Sequence, residues 1–161
     1  MFASQWNVFA FKAQNGSIDL FNGFSKFRLV HSSENIETVR LDDIESIKNP
    51  DFLKMDVQGA ELEIIRNGTK KLESCLAIQL EFPYFNLYEK QSCFGEVDVY
   101  LREQILISHM FLTAKRWAIA PTIFNGNFRI AGNQRLESDV VYVKNPLNIA
   151  ELNIIQVKKL A

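Results

Sequence analysis

The chain has 161 residues, 47% of them apolar and 13 of them phenylalanine, enough for the core of a single globular domain. Eighteen basic residues against 19 acidic ones leave a formal net charge of −1, so no cationic footprint for DNA or RNA is expected, and Lys70-Lys71 and Lys158-Lys159 read as solvated surface. No run nears the roughly 20 apolar residues of a membrane-spanning helix, and residues 1–12 carry no basic leader, so a cytoplasmic protein that meets neither membrane nor nucleic acid is expected.

In chain order, residues 8–12 and 17–21 flank Gln14-Asn15-Gly16 and predict a β-hairpin or strand pair. Residues 24–39 read as a loop, with a short strand over 37–41. Asp42 and Asp43 precede Ile44, Ile47 and a stop at Asn49-Pro50, which predicts one short helix capped by aspartate. The stretch 51–61, D-F-L-K-M-D-V-Q-G-A-E, is the most informative. Phe52, Leu53 and Met55, interrupted only by Lys54, predict a buried strand that stops at Asp56-Val57-Gln58-Gly59 before a helical pattern opens. Ligands of open α/β sheets sit outside the carboxyl ends of the strands, so Asp56 and Gln58 are expected to face the crevice.

Leu62, Ile64, Ile65 and Leu72 form an apolar stripe broken where Asn67-Gly68 offers a C-terminal cap, predicting a helix of about two turns. Residues 75–80 predict a second buried strand with Glu81 at its carboxyl end. Phe94, Val97, Leu101 and Ile105 recur at helical spacing opposite Glu96, Asp98, Arg102 and Glu103, the pattern of a surface helix. Residues 105–113 and 138–144 are strand candidates, 123–135 a hairpin or loop insertion between them, and 149–160 a terminal helix. Alternating strands and helices predict an α/β protein with a parallel sheet.

The stretch 51–68, D-F-L-K-M-D-V-Q-G-A-E-L-E-I-I-R-N-G, preceded by V-R-L-D-D-I at 39–44, resembles the signature of the FkbM-type methyltransferase family. L-E-F-P-Y-F-N-L-Y-E-K-Q-S-C-F-G-E-V at 80–97 resembles that family's next strand and its aromatic, acidic segment, and S-D-V-V-Y-V-K at 138–144 resembles its final strand. Within a single partial domain, 1–161, the resemblance is strongest over 39–146. It implies a Rossmann-like class I methyltransferase sheet with an antiparallel strand, and transfer of a methyl group from S-adenosyl-L-methionine to an oxygen of a small-molecule or glycan-type acceptor. The family's glycine-rich cofactor turn and ribose-binding acid should precede these segments. Gly16 and Gly23 are the only glycines before Gly59, and neither lies in a G-x-G arrangement after an apolar strand. The sheet is therefore expected to be incomplete at its N-terminal side, with the chain corresponding to the C-terminal part of the family domain. The family's first strand lies beside the one at 52–55, so that strand is expected to be an exposed edge prone to self-association unless residues 8–21 cover it. Residues 101–137 match the family poorly, with Gln104-Ile105-Leu106 in place of an expected glycine-phenylalanine pair.

Methyl transfer from a sulfonium is an in-line displacement that gains most from alignment of donor and acceptor. The resemblance and the crevice position make Asp56 the candidate that orients or deprotonates an acceptor hydroxyl, with Glu81 as its catalytic companion. Asp56 and Gln58 are the cofactor-side candidates, and Gly59, Glu61, Tyr84 and Tyr88 the acceptor-side ones. Each has a structural alternative. Asp56 suits the N-cap of the following helix, Gly59 a turn with positive φ, Glu61 the helix dipole, and Glu81 an ion pair with Lys54, Lys90 or another surface cation. Phe82 and Phe85 are expected in the core. No histidine pattern supports a metal site on Asp56 and Glu81. Cys75 and Cys93 suit neither a disulfide framework nor zinc, and His31 and His109 lie far from both in sequence. The competing reading is a non-catalytic binding or interaction module derived from a methyltransferase.

Overall fold

The computed structural model describes residues 38–87, 91–127 and 129–160. The expectations for 8–12, 17–21 and the loop up to 37 lie outside these residues, as do Tyr88 and any cover that 8–21 gives the sheet edge.

The described chain forms a five-stranded sheet in the order β1-β2-β5-β3, with β4 also pairing with β5. β1 (Phe52–Met55) runs parallel to β2 (Ala77–Pro83). β5 (Gln134–Lys144) lies antiparallel to β2, to β3 (Leu106–Phe111) and to β4 (Lys115–Trp117). The sheet is thus mixed, where strand and helix order alone predicts a parallel one. Helical crossovers keep β1, β2 and β3 pointing the same way. Among the described residues the return from β3 contains no helix, only a loop and the short β4, and β5 comes back in the opposite sense between β2 and β3.

β2 begins later and ends later than 75–80, so Glu81 sits within the strand and not at its end. Its alternation sends Ile78, Leu80 and Phe82 into the core. There they meet Leu62 and Ile65 of α1 (Glu61–Arg66), Leu72 of α2 (Thr69–Ser74), and Val97 and Leu101 of α3 (Phe94–Glu103). Tyr142 of β5 is fully buried in the same cluster, and its hydroxyl donates to Asp98 Oδ1 at 3.0 Å, meeting the need of a buried phenol for a partner. Asp98 also accepts from Arg102 Nε at 2.7 Å. At the start of α3 the Glu96 carboxylate accepts from Cys93 N at 3.0 Å, tying down one of the amides a helix terminus leaves open. Ile105 lies beyond α3 with φ of 60°, outside the helical stripe its spacing suggested.

Among the described residues, 38–40 are irregular and a single 3-10 turn, Leu41–Asp43, stands where the end of the short strand over 37–41 and the helix after Asp43 are expected. Asp42 does cap a helix, but a remote one, since its carboxylate accepts from Lys70 N at 3.3 Å and Lys71 N at 3.1 Å in the first turn of α2. Asn67 is the C-cap of α1. A Cβ on Gly68 would lie 2.5 Å from Leu41 Cδ2, so the buried Leu41 side chain would have to shift to admit one. The terminal segment divides into a 3-10 stretch, Pro146–Glu151, and α4 (Ile154–Leu160), with Asn153 Oδ1 accepting from Ile155 N and Gln156 N, both at 3.0 Å.

β1 is not the buried strand expected from its apolar run. Only Met55 is buried, Phe52 is 52% exposed, and among the described residues β1 pairs with β2 alone. Among the described residues no helix is long and apolar enough to cross a membrane.

Candidate functional site

The parallel register pairs Met55 with Leu80, so the next residue of each segment, Asp56 and Glu81, stand side by side. After Asp56 the backbone turns sharply through two positive φ angles, 57° at Gln58 and 118° at Gly59. Gly59 fits because it carries no Cβ penalty there. Gln58 holds a conformation that costs a side-chain-bearing residue about 1 kcal/mol, and its contacts account for that. Gln58 Nε2 donates to Asp56 Oδ1 at 2.7 Å and to Glu81 Oε2 at 3.2 Å, joining the two carboxylates.

Glu81 Oε1 accepts from Lys115 Nζ at 2.6 Å, and the same ammonium reaches Glu137 Oε2 at 3.1 Å. Asp56, Gln58, Glu81, Lys115 and Glu137 thus form one polar chain across β1, β2, β5 and β4. Among the described residues the ion-pair partner of Glu81 is Lys115, a surface cation remote in sequence. Burial pulls the Lys115 pKa down, but hydrogen bonds to Glu81 and Glu137 and their charges outweigh it, holding the ammonium above its usual value. The cluster remains anionic, with three carboxylates for one ammonium. Among the described residues no three side chains are grouped as a metal ion needs.

Glu61 is nearly inaccessible at 4% exposure and faces the loop backbone, not open solvent. Its Oε1 accepts from Val57 N at 3.0 Å and its Oε2 from Gly59 N at 2.8 Å, clamping both ends of the Gln58 turn. Burial raises its pKa, opposed by these backbone hydrogen bonds. Asp56 does not cap α1, whose N-cap is Ala60 without a side-chain bond. A Cβ on Gly59 would lie 3.0 Å from Gln91 Cγ and Nε2. Gln91 is buried and accepts from Leu87 N at 3.0 Å, so the segment after β2 rests on the turn after β1.

Tyr84 is half-buried beside this segment, its hydroxyl 3.1 Å from Ser138 Oγ and its ring 5.6 Å from that of Phe94. The Arg135 guanidinium lies 5.8 Å from the Tyr84 ring centroid. Phe82 is a core residue, and Phe85 packs against Leu87 and Leu136 with Trp117. Neither cysteine offers a ready thiolate, since burial pushes Cys75 up to about 11 and Cys93 upward as well. Of the expected site residues, Asp56, Gln58 and Glu81 come together, Gly59 and Glu61 build their support, and Tyr84 stands just beyond the end of β2. Lys115, Glu137 and Gln91 carry no local sequence signal, because their roles depend on pairings made across the sheet and between loops.

The Methyltransferase FkbM domain family matches the chain over residues 5–104, more than half its length. No curated protein and no solved structure matches it. The family match takes in residues 5–38, ahead of the most family-like span of the sequence, and stops before β5, the strand that resembles the family's last.

Proposed function

From membership of the Methyltransferase FkbM domain family, to which this chain belongs, we propose that it transfers a methyl group from S-adenosyl-L-methionine to a hydroxyl oxygen of a small-molecule or sugar-containing acceptor. The observation that carries this reading is the Gln58 bridge between Asp56 and Glu81 on adjacent parallel strands, where α/β enzymes place their ligands. An antiparallel strand inserted between parallel ones also supports a Rossmann-like class I sheet.

The cofactor supplies an electrophilic methyl on a cationic sulfonium, and the anionic excess around Asp56 suits such a cation. Asp56 and Gln58 are the residues that would hold it. Gln58 engages only Oδ1 of Asp56, which leaves Oδ2 to orient an acceptor hydroxyl and take up its proton. Both oxygens of Glu81 are engaged, by Gln58 and Lys115, so Glu81 acts as a fixed anion that positions Gln58 and, through it, Asp56. Gly59 and Glu61 keep the turn in shape, and Tyr84 walls the acceptor side.

Titration calorimetry with S-adenosylhomocysteine tests the reading. Saturable binding is expected, and Asp56→Asn should lower turnover of an identified acceptor by about 100-fold or more, the lower range for a positioned base. No heat at millimolar S-adenosylhomocysteine would overturn it.

A further inference from the structure

Beside the polar chain, β4 and β5 bring two arginines together. Lys115 pairs in register with Glu137, the register then shifts, and Arg116 stands directly opposite Arg135. Directly opposed like charges destabilise a strand pair, and a bulge in the ladder is a common means of re-aiming side chains near functional sites. Lys115, one residue away, has two carboxylate partners, whereas among the described residues neither arginine has an acidic one. Both are exposed. From Leu112 to Leu136 the chain carries Lys115, Arg116, Arg129 and Arg135 and no acidic residue, although its net charge is −1. The Tyr84 ring holds Arg135 at 5.8 Å, and Ser138 holds the Tyr84 hydroxyl, so one guanidinium is oriented in advance.

We propose that Arg116 and Arg135 form a subsite for an oxyanion, a carboxylate or phosphate carried by the methyl acceptor. Two guanidinium forks on neighbouring strands offer paired donors that match the oxygens of either group, and the anion relieves the repulsion that the ladder imposes on the pair. The subsite borders the candidate active site, because Lys115 adjoins Arg116 and binds Glu81, three residues before Tyr84. The assignment of the anion to the acceptor rests on the proposed methyltransferase activity, while the anion site itself does not.

The test is direct binding to the full chain, by calorimetry and thermal shift, of inorganic phosphate and of glucuronate, with glucose as a neutral control and chloride holding the ionic strength constant. Saturable binding of at least one anion, and none of glucose, is expected. Phosphate binding alone assigns a phosphorylated acceptor, and glucuronate binding alone a carboxylated one. Arg116→Glu replaces the repulsive pair with an opposite-charge pair, so it should melt at or above the wild-type temperature and lose at least tenfold in anion affinity. Arg135→Gln should lose affinity to a similar degree, and serves if the first variant fails to fold. Unsaturable binding of both anions, or wild-type affinity in a folded variant, would overturn the proposal. Because no cofactor takes part, failure to bind S-adenosylhomocysteine leaves this readout intact.

Discussion

Replacing Glu61 with glutamine tests the structure where a single side chain shapes the whole turn. The two carboxylate oxygens serve different amides, Val57 N at 3.0 Å and Gly59 N at 2.8 Å. An amide side chain has one acceptor oxygen, so Glu61→Gln satisfies one of these donors and turns its own N–H group towards the other. An unsatisfied buried N–H costs about 1–3 kcal/mol. Neutralising a carboxylate that burial disfavours returns part of that, so a loss near the lower end is expected at neutral pH. The pH dependence has a definite sign. The folded-state pKa lies above the ordinary value of 4.5, so between the two the native state binds the proton more readily than the unfolded chain. The contribution of Glu61 to stability therefore falls as pH rises through that window. The variant lacks this titration, so its deficit should be largest on the acid side and smaller above it. Urea unfolding of both proteins across the window measures the difference. A deficit below 0.5 kcal/mol at every pH would refute the clamp, and one that grows as pH rises would show that its hydrogen bonds, and not burial, set the titration of Glu61.

Gln58→Gly should remain within about 1 kcal/mol of wild-type stability, because relief of the positive φ is offset by greater freedom of the unfolded chain. Its methyl transfer should nonetheless drop, since Asp56 and Glu81 lose their bridge; unchanged turnover would contradict the positioning role. Lys115→Met leaves Glu81 and the buried Glu137 without their shared ammonium and should cost about 1 kcal/mol at pH 7, a modest value because Lys115 is half exposed. With a folded pKa above 10.5, the lysine stabilises fully below that value and loses its effect as pH rises through the folded pKa, so equal deficits at neutral and strongly alkaline pH would count against the pair. The side of β1 that has no partner among the described residues is expected to recruit a second copy unless residues 8–21 cover it. Light scattering should show mass rising with concentration and Phe52→Lys should suppress it, whereas a constant monomer mass in both proteins would discard the idea.

The neighbourhood of Asp56 and Gln58 was legible because a short apolar run ending in polar residues and glycine marks the end of a strand. The side-by-side placement of Asp56 and Glu81 follows once the two runs pair in parallel. The direction of β5 was not legible. Val140 and Tyr142 enter the core in alternation, and that pattern is the same for a parallel or an antiparallel strand; the connection decides. Lys115 was hidden because it lies on a three-residue strand and meets partners 34 and 22 positions away. Asp42 is a capping residue, as its type predicts, but it caps α2 and no helix that directly follows it, since side-chain chemistry announces a cap without naming the amides it will find. Glu61 looked like a helix-dipole acid, and only its burial shows that it serves the preceding loop.

The position of β5 also sets the order in which the protein can assemble. It is the last strand described, yet it is the one against which β2, β3 and β4 all align. During synthesis from the N-terminus, β2 and β3 leave the ribosome well before the strand that separates them. For that interval each has backbone groups seeking a partner, and direct pairing of β2 with β3 would be a trap that β5 must later break open. Non-local pairing of this kind slows folding and exposes strand edges to neighbouring chains. Nascent chains halted before Gln134 should therefore depend more on chaperones than chains released after Lys144.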